Sequence, residues 1–266
     1  MRKFLTFCLL FISIFTLTSC EGIKTYQDLE QEFTSHLEYY EENYQSKIDY
    51  YNTLSTRTIL SVVKIEKTNY LPFSSATGSG VIFTQDDSHF YILTNHHVTY
   101  SENAERTTYA VYDYQGNKYL ATLVVSDASY DLSILKISKG TLVLENMHFS
   151  PENPKIGDRT AILGYPVEQA NAITLGNVLS YQNVNINDPI SELIHVDFEV
   201  IVSNTPVKPG SSGSVVVNEE FQLIGILYAG NFSESQEFST FSFSIPVESV
   251  IEFLIENDFS YEGESS

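Results

Sequence analysis

The sequence predicts an all-β protein in two strand-rich halves, with a helix in front and a short helix behind. Three observations carry that reading. From about residue 58, short runs rich in Val, Ile, Thr, Tyr and Phe recur between turn residues, with no helical pattern separating them. Such spacing belongs to barrels or sandwiches rather than to a parallel α/β sheet. The runs also divide near 146–154 into two sets of about 90–95 residues each.

The chain opens on a targeting pattern. Arg2 and Lys3 precede an apolar run over 4–17, which ends in Leu17-Thr18-Ser19-Cys20. A basic start, an apolar stretch and small residues at its end make a secretory signal over 1–19, and the run is shorter than the roughly 20 residues a membrane span needs. Next comes an acidic segment, 20–56, with Leu29, Phe33, Leu37, Tyr40, Tyr44, Ile48 and Tyr51 at steps of three and four. Those steps trace one face of a helix, expected to pack partly on the domain behind it. The first strand-rich domain, 57–150, holds runs at 59–65, 80–83, 90–93, 107–114, 120–125 and 132–137. The second, 151–258, holds runs at 160–163, 173–180, 193–202, 214–217, 223–228 and 238–245, and Pro246 then suits the start of a closing helix with Val250, Ile251, Phe253 and Leu254. Residues 259–266 form an acidic tail.

Composition excludes several functions. Asp and Glu number 34 against 14 Lys and Arg, a net charge of −20, and loss of residues 1–19 makes it −22. A chain this acidic lacks the cations that replace phosphate counterions, so nucleic acid is not an expected partner. Nor does it offer a basic patch to anionic lipid. Of the two cysteines, Cys8 leaves with the signal, so no internal disulfide is expected. His36, His89, His96, His97, His148 and His195 show no zinc-ligand spacing, and Glu38, Glu41, Glu42 and Asp49 read as a solvated helix face rather than a calcium site. Neither metal nor cofactor is expected.

Three stretches could carry chemistry. Thr94-Asn95-His96-His97-Val98 follows an apolar strand, Asp131 stands at the mouth of the run 132–137, and Pro209-Gly210-Ser211-Ser212-Gly213-Ser214 makes a glycine-flanked turn before a strand. Each alone is commonplace. Together they run His…Asp…Ser at separations of 34 and 81 residues on two β-rich halves, which is the order of a serine-peptidase triad.

Over about residues 58–256 the chain resembles the chymotrypsin-fold, trypsin-like bacterial serine peptidases, near the HtrA/DegP peptidases and the glutamyl endopeptidases. The residues that carry the resemblance are Gly78-Ser79-Gly80-Val81-Ile82, Thr94-Asn95-His96-His97-Val98, Asp131-Leu132-Ser133-Ile134-Leu135, Leu163-Gly164-Tyr165-Pro166, Gly210-Ser211-Ser212-Gly213-Ser214, Leu223-Ile224-Gly225-Ile226 and Phe243-Ser244-Ile245-Pro246-Val247. The segment ending in Cys20 resembles a bacterial lipobox, whose cysteine becomes the lipidated first residue. The resemblance implies two antiparallel six-stranded β-barrels and a membrane-tethered, extracytoplasmic serine endopeptidase acting on proteins or peptides. It implies Ser212 as nucleophile, His97 as general base and acid, Asp131 as its orienting partner, and the Gly210 and Ser212 amides as the oxyanion hole. His97 is preferred because the family's histidine directly precedes the valine; His96 is expected to be lateral and solvated.

Departures from the family pattern matter too. The HtrA group has glycine where this chain has Ser214 and Asn or Asp where it has Ser211. The chain ends about ten residues past the closing helix, leaving no expected PDZ domain. The substrate pocket is expected at Pro206, Leu227, Tyr228 and Ala229. Pro206 stands where a preference for basic residues would need an acid, and Leu227 where a preference for glutamate would need a histidine; Leu227, Tyr228 and Ala229 instead suggest an apolar pocket for small or medium uncharged side chains. The rival readings are a catalytically silent binding lipoprotein on the same fold and an adhesin whose active element is the N-terminal helix.

Overall fold

The computed structural model describes residues 26–140, 144–166, 172–184, 195–232 and 237–263. The signal segment and Cys20 lie outside them. An N-terminal helix, α1, runs over Tyr26–Thr56, and a 3-10 turn at Thr58–Ser61 leads into the strands. Residues 1–49 form one unit and residues 50–266 another, so the end of α1 belongs with the strands.

The strands close two barrels. The first comprises β1 (Val62–Tyr70), β2 (Phe73–Gln85), β3 (His89–Thr94), β4 (Thr107–Tyr112), β5 (Lys118–Asp127) and β6 (Leu132–Ser138), ordered β1-β2-β3-β6-β5-β4. The second comprises β7 (Arg159–Gly164), β8 (Ala172–Gln182), β9 (Val200–Ser203), β10 (Val215–Val217), β11 (Leu223–Gly230) and β12 (Ser242–Pro246), ordered β10-β11-β12-β9-β8-β7. Every pairing between these strands is antiparallel. The helix α2 (Val247–Glu256) closes the chain.

Strand side chains alternate between faces, and here both faces are often buried. In the first barrel Val63, Ile82, Ile92 and Leu135 fill the interior. Their neighbours Val62, Val81, Leu93 and Ile134 turn the other way, into a larger core shared with the second barrel. There Ala161, Leu163, Val215, Val217 and Ile226 meet them, together with Val250, Phe253 and Leu254 of α2. Ile162, Val216, Ile224 and Leu227 form the second barrel's own interior. Unbroken apolar runs such as 215–217 are therefore strands with two covered faces.

The boundaries depart from expectation in instructive places. Residues 59–61 form the 3-10 turn, so β1 starts at Val62. Strand β2 begins seven residues early, because Phe73 through Gly80 pair with β1 although residues 73–76 face solvent. Strand β12 begins only at Ser242, leaving Phe238 and Phe241 partly exposed outside the ladder. Pro246 ends β12 and caps α2 instead of opening it. The packing face of α1 is also different: Tyr50 and Leu54 are buried, whereas Tyr44 and Tyr51 are exposed. Among the described residues no helix is long and apolar enough to cross a membrane, and no group of three or more His, Cys, Asp or Glu could hold a metal.

Candidate active site

Strand β3 delivers Thr94 and Asn95 into a single helical turn, His96–Thr99. His97 Nδ1 lies 2.8 Å from Asp131 Oδ2 and 3.1 Å from Oδ1, and the His97 backbone N–H donates to Oδ1 at 3.0 Å. A carboxylate only accepts, so this contact puts the imidazole proton on Nδ1 and leaves the Nε2 lone pair for another partner.

Asp131 is fully buried and its backbone is left-handed, with φ at 50°. Its carbonyl explains how that conformation holds: it accepts the His96 N–H at 3.0 Å and Asn95 Nδ2 at 3.1 Å. The two residues that precede His97 thus fix the backbone of its partner. Asn95 lies inside the motif, but nothing in the local sequence signals this role. Its own Oδ1 is buried without a hydrogen-bond partner among the described residues.

His96 turns toward Ser126 and is only partly solvated. The ring is half-buried, with Nδ1 2.7 Å from Ser126 Oγ, and Ser126 continues to Ser133 (2.5 Å) and Ser133 to Thr99 (2.8 Å). Burial is the first cause that depresses its pKa, opposed by the nearby Asp131 charge.

The serine turn is fastened from several sides. Ser211 N–H donates to Lys208 O at 3.2 Å, Gly213 N–H to Leu227 O at 2.9 Å, and Ser214 N–H to Ser211 O at 3.0 Å. Gly210 and Gly213 have φ of 84° and 82°, a region open to glycine. At Gly213 a side chain is also excluded by space, since a Cβ there would lie 2.0 Å from Ser79 O. Ser212 O accepts the Ser79 N–H at 2.7 Å, which ties the turn to β2 of the other barrel. A Cβ on Gly78 would meet Val98 at 2.8 Å and Ser212 O at 3.2 Å. Gly78 therefore sits between Ser212 and the residue after His97. Among the described residues the Ser212 hydroxyl makes no hydrogen bond, to His97 or otherwise, and the Gly210 and Ser212 N–H groups engage no acceptor.

The expected pocket needs correction. Leu227 and Tyr228 are each 1% exposed: Leu227 faces the barrel interior and Tyr228 the shared core. Neither side chain can meet a substrate as placed, because both faces of β11 are covered. Only Pro206 and Ala229 keep partial exposure. The Tyr228 hydroxyl has no partner among the described residues, and burial, reinforced by the Asp131 charge, raises its pKa.

Two closed six-stranded antiparallel barrels with a His–Asp pair on one and a serine turn on the other define a chymotrypsin-like molecule. Residues 78–226 match the trypsin-like peptidase domain, and the chain belongs to that family. It is 33% identical over 185 residues to the serine protease Do-like HtrB of Bacillus subtilis, covering 67% of this chain and 38% of that protein. With the probable periplasmic serine endoprotease DegP-like of Chlamydia muridarum it shares 32% over 150 residues, 56% of this chain and 27% of that one. The chain thus spans about a third of the length of these relatives. Among solved structures, the HtrA-type protease AlgW with tripeptide superposes at a TM-score of 0.61 with 27% identity, covering 79% of this chain and 64% of that one. The Rv3671c protease of M. tuberculosis in its active form gives a TM-score of 0.65 at 22% identity, covering 79% and 86%, and shares the fold.

Proposed function

We propose that the protein is a membrane-tethered, extracytoplasmic serine endopeptidase that cleaves peptide bonds through an acyl-enzyme. The observation that carries this is the His97–Asp131 pair, whose geometry leaves Nε2 free to act as a base, while Gly78 packs between Ser212 O and Val98, the residue after His97. In this reading Ser212 Oγ attacks the scissile carbonyl as its proton passes to His97 Nε2. The Gly210 and Ser212 N–H groups receive the oxyanion, and His97 then protonates the leaving amine. Water repeats the sequence on the acyl-enzyme. Asp131 orients the ring and stabilises the imidazolium.

Substrates are proteins or peptides, read in a pocket that includes Pro206 and Ala229. Pro206 provides no charge for a basic side chain, which favours uncharged ones of small or medium size. Lipidation at Cys20 and the segment 20–56 would hold the domain at the outer face of a membrane. The Leu17-Thr18-Ser19-Cys20 sequence supports that placement, as does the naming of one relative as a probable periplasmic endoprotease.

A fluorophosphonate, which reacts with an activated serine, tests the reading. It should label Ser212 in the wild type and fail to label His97→Ala, as mapped by mass spectrometry. Folded wild type that stays unlabelled would establish the alternative, a catalytically silent binding or adhesin protein on the same fold.

A further inference from the structure

We propose that Ser214 is a positioning residue for the oxyanion site: by holding the Ser211 carbonyl, its buried hydroxyl aims the Ser212 N–H at the developing negative charge. The proposal rests on the peptidase reading above.

The argument begins with one peptide unit. The carbonyl of Ser211 and the N–H of Ser212 are its two ends, and in a planar trans peptide they point in opposite directions. Fixing one aims the other. The Ser211 carbonyl is held twice by the same residue, through the Ser214 N–H at 3.0 Å and the Ser214 hydroxyl at 2.5 Å. Ser214 is fully buried and Ser211 is 6% exposed, so both bonds are shielded from bulk water. Rotating the peptide would break both. A carbonyl that accepts strongly also polarises its own peptide N–H into a better donor. That N–H belongs to Ser212 and engages no acceptor among the described residues.

The hydroxyl is confined from both barrels. A serine hydroxyl has one proton, and here the shorter bond to Ser211 takes it. On its other side lies Ser79 Oγ of β2 at 3.2 Å, itself accepting the Tyr165 N–H at 2.8 Å just past β7. The space comes from Gly164, where a Cβ would stand 1.8 Å from Ser214 Oγ and 2.7 Å from Ser79 Oγ. Gly164 and Ser214 are therefore spatially matched. Where the HtrA pattern has glycine at this position, only the N–H could hold the carbonyl.

The test compares wild type with Ser214→Gly and Ser214→Ala in the full chain. Each is measured for kcat and KM on a peptide, and for the affinity of a peptidyl trifluoromethyl ketone. Ser212 Oγ adds to that ketone, and the hemiketal carries an oxyanion where the transition state does. Removing an oxyanion donor outright costs on the order of 10²–10³ in rate, so loosening one should lower kcat about tenfold. KM should stay within about twofold, because the interaction strengthens only in the transition state. Ketone affinity should fall by the same factor as kcat. Wild-type kcat in a folded variant, a loss confined to KM, or a kcat loss with ketone affinity unchanged would each overturn the proposal. Should Ser214→Ala fail to fold, Ser214→Gly supplies the same readouts. A wild type without fluorophosphonate label at Ser212 overturns the peptidase reading instead, so the two failures remain distinct.

Discussion

Asp131 combines two demands in one residue, since its carboxylate must meet His97 while its backbone is left-handed. Asp and Asn tolerate that conformation better than other residues with a Cβ, because a short polar side chain can bond locally. Asp131→Asn therefore separates the two demands: the backbone stays, but an amide can donate to Nδ1 and favours the wrong tautomer. The expected result is a loss on the order of 10⁴ in kcat at neutral pH with little change in Tm, measured on the same preparation. A Tm collapse would show instead that the carboxylate holds the turn. Most of this was legible at the level of residue type. His97, Asp131 and Ser212 follow from their order and their motifs. The hydrogen bonds to the Asp131 carbonyl, and the seat of Ser214 against Gly164, do not. They depend on backbone direction and on approach between segments far apart in sequence, which no local pattern encodes.

Legibility at the scale of elements follows burial. Strands with two covered faces, such as β6, β7 and β10, announce themselves as apolar runs. The outer half of β2 does not, since Ser74, Ser75 and Ala76 are paired without being covered. Leu227 and Tyr228 are covered for a related reason: they read as apolar lining, but a strand within a closed barrel packed on a second one buries both faces. Turns carry their own signal in side-chain capping. Asp113 closes the connection between β4 and β5, accepting the Gln115 and Asn117 N–H groups and Asn117 Nδ2 at 2.9 Å, and Tyr119 Oη at 3.0 Å. Burial alone would raise its pKa; the hydrogen bonds outweigh burial and lower it. A carboxyl whose folded pKa lies below its unfolded value, about 4, stabilises fully above that value and loses the contribution as pH falls through the folded pKa. Wild type should thus melt above Asp113→Asn at pH 7, with the gap narrowing below about pH 4. A gap that is constant down to pH 2 would assign the effect to shape rather than charge.

At the scale of the molecule, an acidic segment lies between the proposed anchor at Cys20 and the strand-rich body that carries the proposed catalytic groups, and the structure marks where that body begins. The boundary between the two units falls at Asp49 and Tyr50, inside α1 rather than at its end. The last turns of that helix are part of the second unit's core. Leu54 is fully buried, and Tyr50 donates its hydroxyl to Asn218 O at 3.1 Å and stacks on Phe221 with ring centroids 5.2 Å apart. Burial, with the Glu219 charge, pushes the Tyr50 pKa up to about 12, so the hydroxyl remains a donor at neutral pH. All the proposed catalytic groups lie beyond this point. A chain starting at Tyr50 should therefore keep the fluorophosphonate label and the Tm of the full chain, while losing the membrane fraction that Cys20→Ala also loses. A chain starting at Thr58 leaves the core without Leu54 and Tyr50. Truncating one buried Leu typically costs about 2–5 kcal/mol, and each kcal/mol moves Tm by roughly 2–4 °C at this size. Its Tm should fall by about 5 °C or more, with labelling retained below the new transition. Equal melting of the two truncations would show that the end of α1 contributes nothing to the body. Loss of label on removing residues 1–49 would make the acidic segment part of the catalytic machinery instead of its tether.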